Sequence, residues 1–377
     1  MGLTLTQGRG QTVPAAALPP ALPPDIAAIL AAQPAWSSSV GLFTDIGYKD
    51  NVLLSHANAE RSGLARGGVD ALLLHVPRGR LDDYSFALLA EGTRYFSSRT
   101  VDHETIAIAT AEWRYHPGAA FKFTLDAIGL YSDQILDLSN TDVQRVVAEF
   151  KVGSAILNPT FRWTIRPTWW IEAQGTGKRA TYRDGANYNY HLGEGALRLG
   201  WRPGARFEAS AAATERQRRF DQHEQYSISG RELSGTILKI TEREAALQLD
   251  VKWDAAARWI TTTRAGTLRY TDNGSGYFNY RQRKITQSLD WTSGDWQVQA
   301  EGAAKRLDYT GRTVGLGLRP PPRVMDEFSA ALKIERKLNA QWSVYAKYSW
   351  ERSRSNDLIA SYRMNEGLLG AQWNWEK

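Results

Sequence analysis

Ala245-Ala246-Leu247-Gln248-Leu249-Asp250-Val251-Lys252-Trp253, then the turn residues Asp254 to Ala257 and a second tryptophan at Trp259, is the stretch that decides how this chain is read. Its odd positions are apolar, and from Gln248 onward its even positions are polar. A period of two places one apolar and one wet face on a single strand. The same period recurs in Phe121-Lys122-Phe123-Thr124-Leu125-Asp126-Ala127, in Trp296 to Gly302, in Phe328 to Glu335 and in Trp342 to Tyr348. Tryptophan at both sides of a reversal is the second half of the signal. An indole has an apolar body for lipid and an N–H for headgroups, so a membrane interface collects it at one level of a sheet.

The other tryptophans repeat that placement. Trp113 precedes Pro117-Gly118, Trp163, Trp169 and Trp170 flank Arg166-Pro167, and Trp201 precedes Pro203-Gly204. Trp291 and Trp296 bracket Ser293-Gly294, Trp342 follows Asn339-Ala340, and Trp36, Trp373 and Trp375 lie near the two ends. Of the 14 tryptophans only Trp350 lies elsewhere. The expected aromatic girdle is therefore Trp113, Trp163, Trp169, Trp170, Trp201, Trp253, Trp259, Trp291, Trp296, Trp342, Trp373 and Trp375.

Counting alternating runs against turns predicts about sixteen strands. Short connections fall at Pro77 to Asp83, Pro117-Gly118, Arg166-Pro167, Pro203-Gly204, Asp254 to Ala257, Ser293-Gly294 and Asn339-Ala340. Long ones fall near 53–63, 97–103, 132–142, 183–189, 220–233, 271–279, 310–325 and 353–362. Short and long alternate, as in an all-β transmembrane antiparallel barrel with short periplasmic turns and longer extracellular loops. The stretches 143–165 and 231–253 are each longer than one strand needs, which leaves the count open by two. A soluble sandwich or propeller is the competing architecture, but soluble strands usually have about 5 or 6 residues, whereas these runs have about 12 to 15. Only roughly 9 to 11 are needed to cross a bilayer.

Composition agrees. Mean hydropathy is −0.43 over 377 residues, and no run approaches the roughly 18 apolar residues of a spanning helix. With no cysteine, neither a disulfide framework nor a thiolate metal site can form. The net charge of +6 is too small and dispersed for a nucleic-acid stripe, so no nucleic-acid partner is expected. Residues 1–35 differ from the rest and read as a Pro/Ala-rich periplasmic arm, with 36–377 as the barrel. Met1 to Val13 lacks the pattern of a secretory signal, so a leader is expected to have been removed or to lie upstream. Residues 1–35 are also where a periplasmic partner would attach.

Extending the alternation places Glu91, Glu112, Arg114, Lys122, Asp126, Glu194, Arg198, Glu208, Glu244, Asp250, Lys252, Lys284, Asp290, Glu301, Lys305, Lys333, Glu335 and Lys347 on the inward face. Singly these are solvated, mutually compensating charges; collectively they form a lining that sorts solutes by charge. Arginine gathers toward the outer strand ends, in Glu215 to Arg219, Arg281 to Lys284 and Glu351 to Arg354. Guanidinium there suits the phosphates of outer-membrane lipid and lipopolysaccharide, or else a vestibule for acidic glycans. The six histidines are scattered, and neither a Gly-x-Ser-x-Gly elbow nor a His-Glu-x-x-His helix occurs. No catalytic residue, metal site or cofactor is expected.

Val40 to Val52, with Gly47-Tyr48-Lys49-Asp50-Asn51 entering the first outer loop, resembles the first strand of a β-barrel porin family. Members of that family include outer-membrane barrels of exopolysaccharide export operons. In pattern the resemblance covers the barrel; in motif it covers only Gly47 to Val52. Barrels of this kind usually end in an aromatic residue, whereas here Trp375 is followed by Glu376-Lys377. The resemblance implies residence in the outer membrane of a Gram-negative bacterium. The leading expectation is a porin-like channel for passive diffusion of small hydrophilic solutes. The alternatives are a barrel that exports or anchors an acidic exopolysaccharide, and a plugged barrel that scaffolds an envelope complex.

Overall fold

The computed structural model describes residues 35–57, 59–75, 81–137, 147–183, 185–315 and 317–376. The amino-terminal arm over 1–34 lies outside the described residues, as do the tip of the Pro77 to Asp83 turn and residues 138–146.

The strands are β1 (Trp36–Lys49), β2 (Ser62–His75), β3 (Asp82–Tyr95), β4 (His103–Gly118), β5 (Phe121–Asp137), β6 (Val147–Arg166), β7 (Trp169–Tyr182), β8 (Tyr190–Gly204) and β9 (Phe207–Phe220). A short hairpin follows, β10 (Gln225–Tyr226) and β11 (Glu232–Leu233). Then come β12 (Lys239–Lys252), β13 (Trp259–Asp272), β14 (Tyr280–Ser293), β15 (Trp296–Thr313), β16 (Pro322–Lys337), β17 (Trp342–Ser355) and β18 (Tyr362–Glu376). All but the hairpin close into one antiparallel barrel of sixteen strands, β9 pairing with β12 and β1 with β18.

The two over-long stretches resolve differently. The first is a single strand of 20 residues, β6, paired with β5 as far as Asp137↔Val147. The connection expected near 132–142 therefore begins later, because the ladder runs on past Ser132. The second stretch divides into β11 and β12, so the extra pairing belongs to an outer connection and leaves the barrel count at sixteen.

Closure gives every barrel strand a partner on both sides, so the barrel itself has no open sheet edge. The exterior is apolar: Leu42, Ile46, Leu197, Leu199, Leu247, Ile285 and Leu369 all lie exposed. Exposed aliphatics carried all round a closed sheet are stable only against lipid, and with the strand number and connection pattern they make this an outer-membrane β-barrel.

Cross-strand pairs fix the two faces. Trp36 is opposite His75 with ring centroids 4.3 Å apart on the outward face, whereas Asp45 is opposite Arg66 on the inward one. At the short-turn rim the outward aromatics meet from strand to strand. Trp113 packs on Phe123 at 5.6 Å, Phe121 stacks on Trp163 at 6.1 Å, Trp169 meets Trp201 at 6.2 Å and Trp259 meets Trp291 at 5.5 Å. Trp342 is opposite Trp373, and Trp253, Trp296 and Trp375 are exposed at the same end.

Trp170 departs from the expected girdle. Adjacent strand residues point to opposite faces, so Trp169 and Trp170 cannot both meet lipid. Trp170 turns inward and is buried, with the Arg162 guanidinium 3.6 Å from its ring. It is opposite Gly200, where an added Cβ would lie 2.0 Å from the indole. Glycine is what lets the ring lie across β8.

The apolar cores lie inside the barrel at its outer end. Inward residues of neighbouring strands, among them Tyr190, Phe220, Ile240, Leu268, Tyr270, Tyr280, Leu307 and Tyr309, cluster with Tyr226, Leu238, Tyr277 and Phe278 from two outer connections. Across the mouth Val52 and Val101 pack with Leu64, Tyr95, Ile135 and Leu368. The outer connections thus fold inward and narrow the opening.

Candidate functional site

The lumen is where the chemistry collects. Every residue expected on the lining falls on the inward register, because each shares the parity of a residue whose cross-strand partner lies inside. Many are held in ion pairs within or across strands. Arg114 pairs with Glu112 and lies 3.6 Å from Asp83. Glu194 pairs with Arg216, which also reaches Glu242 at 3.4 Å and Glu244 at 3.2 Å, while Arg264 binds Glu244 at 2.6 Å. Arg198 binds Glu172 at 3.1 Å, and Glu208 is shared by Arg202 and, at 3.5 Å, Arg162. Lys305 binds Glu327 at 2.5 Å, and Lys333 binds Glu335 at 2.7 Å.

Asp250 accepts hydrogen bonds from Thr262 at 2.5 Å and Gln248 at 2.8 Å, and Asp290 accepts one from Gln299 at 3.3 Å. Lys122, Asp126, Lys252, Lys284, Glu301 and Lys347 sit on the same face without an ion pair among the described residues.

The tightest part of the lining went unread in the sequence. Asp45, only 2 % exposed, accepts from Arg66 Nη2 and from the Tyr345 hydroxyl, both at 2.7 Å, and Arg66 extends to Glu91 at 3.9 Å. Asp45 lies in Thr44-Asp45-Ile46, whose alternation was the available signal. Its partners are 21 and 300 positions away and had none.

The arginine-rich strand ends also divide by parity. Arg216 and Arg218 face inward; Glu215, Arg219, Arg281, Arg283, Arg352 and Arg354 face outward.

A cavity of about 380 Å³ opens between walls that include β5 and β15, which stand eight strands apart around the sixteen. Its charged lining is Glu91, Glu104, Glu301, Glu351 and Glu366 against Lys49 and Arg66. Arg66 is already committed to Asp45, and Lys49 Nζ donates to the Tyr95 hydroxyl at 3.4 Å. That hydroxyl in turn donates to Glu104 at 2.7 Å. The cavity therefore presents more carboxylate than free cation.

Above it, the family-like motif has a structural task. Asn51 donates to the carbonyls of Ser55 and Arg363, both at 2.9 Å, and Asp50 receives the backbone N–H of Asn365 at 2.7 Å. These bonds tie the first outer loop to β18. Glu60, in the same loop, accepts from the hydroxyls of Ser98 and Thr100 at 2.5 and 2.6 Å, which hold its carboxyl down to about 2.

Among the described residues one group has metal-ligand geometry: His103, Asp133 and Glu149, with ligand atoms within 4.8 Å of one another. Lys151 Nζ lies 3.7 Å from Asp133 and 4.0 Å from Glu149, so an ammonium already supplies the positive charge a cation would bring. The group is an ion-pair cluster at the outer rim.

No family model and no curated protein matches the chain. Among solved structures it is similar to OccAB4 of Acinetobacter baumannii, at 7% identity over 92% of this chain and 99% of that one, with a TM-score of 0.49. It is similar also to OccK11 (OpdR) of Pseudomonas aeruginosa, at 9% identity over 91% and 96%, with a TM-score of 0.45. OmpT, an outer membrane protein of Vibrio cholerae, is similar at 12% identity over 91% and 98%, with a TM-score of 0.44. The architecture above stands on the chain's own strand pairing. The likeness of Gly47 to Val52 to exopolysaccharide-operon barrels gains no support from these matches.

Proposed function

We propose that this protein is a porin-like channel through which small hydrophilic solutes diffuse passively, with a preference for cations. The observation that carries the reading is the excess of carboxylate over uncommitted cation around the lumen cavity. A barrel of about sixteen strands leaves an aqueous interior, and charge rings inside such a wall bias which ions enter. Each compensated pair contributes little selectivity, and the unpaired Lys122, Lys252, Lys284 and Lys347 are not among the residues that line the cavity, so there Glu301 and the cluster about Glu351 and Glu366 set the sign. A surplus of carboxylate repels an acidic polymer, which weighs against acidic-glycan export.

The test is single-channel conductance of purified protein in a planar bilayer under a salt gradient. Stable steps with a cation-selective reversal potential are expected, and Glu301→Lys with Glu366→Lys should move that potential toward anions. Correctly inserted barrels without conductance would sink the channel reading. They would favour a second one, motivated by the connections that pack into the mouth: a closed barrel anchoring an envelope complex through residues 1–35.

A further inference from the structure

The exterior carries two grooves of nearly equal size. One, of about 720 Å³, lies on the β1–β6 side, and no charged residue lines it. The other, of about 730 Å³, crosses six strands from β9 to β16. Its floor is Ala211, Ala245, Leu247, Ala265, Ile285 and Ala304, and Arg283 and Arg306 stand at its rim, with Asp326 3.9 Å from Arg306. Small side chains make the floor deep. What separates the two grooves is the cationic edge of the second.

That edge continues toward the long connections as a cross-strand row. Arg243 is opposite Arg269, which is opposite Arg281, while Arg283 is opposite Arg306. Like charges directly opposite on one face destabilise a sheet unless something neutralises them. Part of the row is neutralised: Arg243 binds Glu215 at 2.9 Å, and Arg306 binds Asp308 at 3.0 Å. Arg269, Arg281 and Arg283 are exposed and make no ion pair among the described residues; Asp308, the carboxylate opposite Arg281, is engaged by Arg306. Three guanidiniums at the boundary of an apolar groove call for an anion that brings its own hydrocarbon.

We propose that this groove seats a phosphorylated, multiply acylated glycolipid of the outer leaflet, acyl chains on the alanine floor and phosphates on Arg269, Arg281 and Arg283. The long-connection side of the barrel faces outward, which selects the outer leaflet. At about 4.8 Å per strand the row from Arg243 to Arg281 is roughly 10 Å wide and the floor roughly 24 Å, wide enough for two phosphates and several chains. A single phosphodiester with two chains would satisfy one guanidinium fork and leave the others facing each other.

The experiment is native mass spectrometry of the detergent-purified protein, offering diphosphoryl lipid A, monophosphoryl lipid A and phosphatidylglycerol in competition. Diphosphoryl lipid A should be retained roughly tenfold or more over phosphatidylglycerol, as loss of charge-assisted bonds to one phosphate would give. Monophosphoryl lipid A should fall between. The triple variant R269Q/R281Q/R283Q should abolish the preference, and Ala265→Trp, which fills the floor, should lower retention of both lipid A forms. Heat-modifiable gel migration verifies that each variant is a folded barrel. Equal retention of phosphatidylglycerol, or a triple variant that still prefers diphosphoryl lipid A, would overturn the proposal. Neither outcome touches the channel reading, which rests on the opposite face of the sheet.

Discussion

Asp45 is the residue whose removal should cost most. Its side chain is fully shielded and satisfies both Arg66 and Tyr345, so Asp45→Ala leaves a guanidinium with 14 % exposure and only Glu91, 3.9 Å away, as a carboxylate partner. Breaking a buried pair from one side costs about 3 to 5 kcal/mol. Urea unfolding in detergent should show that loss, whereas Asp254→Ala, at an exposed turn pair with Arg258, should cost no more than about 1 kcal/mol. Equal effects would mean that the Asp45 site is wet. The carboxylate itself was legible as one more polar position in an alternating strand. Its burial was not, because burial comes from β2 and β17 closing over it.

Among single elements, β7 and β8 show how far alternation carries and where it needs a companion strand. Period two assigns Trp169 outward and Trp170 inward once either is known, yet the cluster of tryptophans around Arg166-Pro167 suggested one level for all of them. The pairing of Trp170 with Gly200 decides the matter. Gly200→Val should displace the indole from Arg162 and lower stability by about 1 to 3 kcal/mol, the usual cost of overpacking. Tryptophan emission should shift to the red in the same variant; unchanged emission and stability would show that the ring has another place to go. The arginine-rich strand ends follow the same logic. Arg216 and Arg218 join the lumen network while Arg281 and Arg283 meet the exterior, a division set by parity within each ladder.

At the scale of the whole molecule, the outer connections determine how much of the lumen is open. The hairpin β10–β11 brings Tyr226 into the aromatic cluster, and Tyr277 and Phe278 meet it from the next connection. Replacing residues 227–232 with a two-residue turn should loosen this side of the mouth and raise single-channel conductance. The cation preference should stay, because the carboxylates about the cavity lie on β3, β4, β15, β17 and β18. A change of sign in the reversal potential would place the selectivity determinant in the hairpin.

The sequence alone determined the architecture. Two-residue periodicity, the alternation of short and long connections and tryptophans at the short turns are local properties, and a barrel closed between chain neighbours needs little else. It determined the inward face as well, since parity is kept along an unbroken strand. Only the tertiary structure decided which inward charges meet, which connections fold into the mouth and which outward arginines make no ion pair. Those facts depend on the register between strands and on loops that cross the barrel. Residues 300 positions apart become hydrogen-bond partners there through closure of the sheet, which no local pattern encodes.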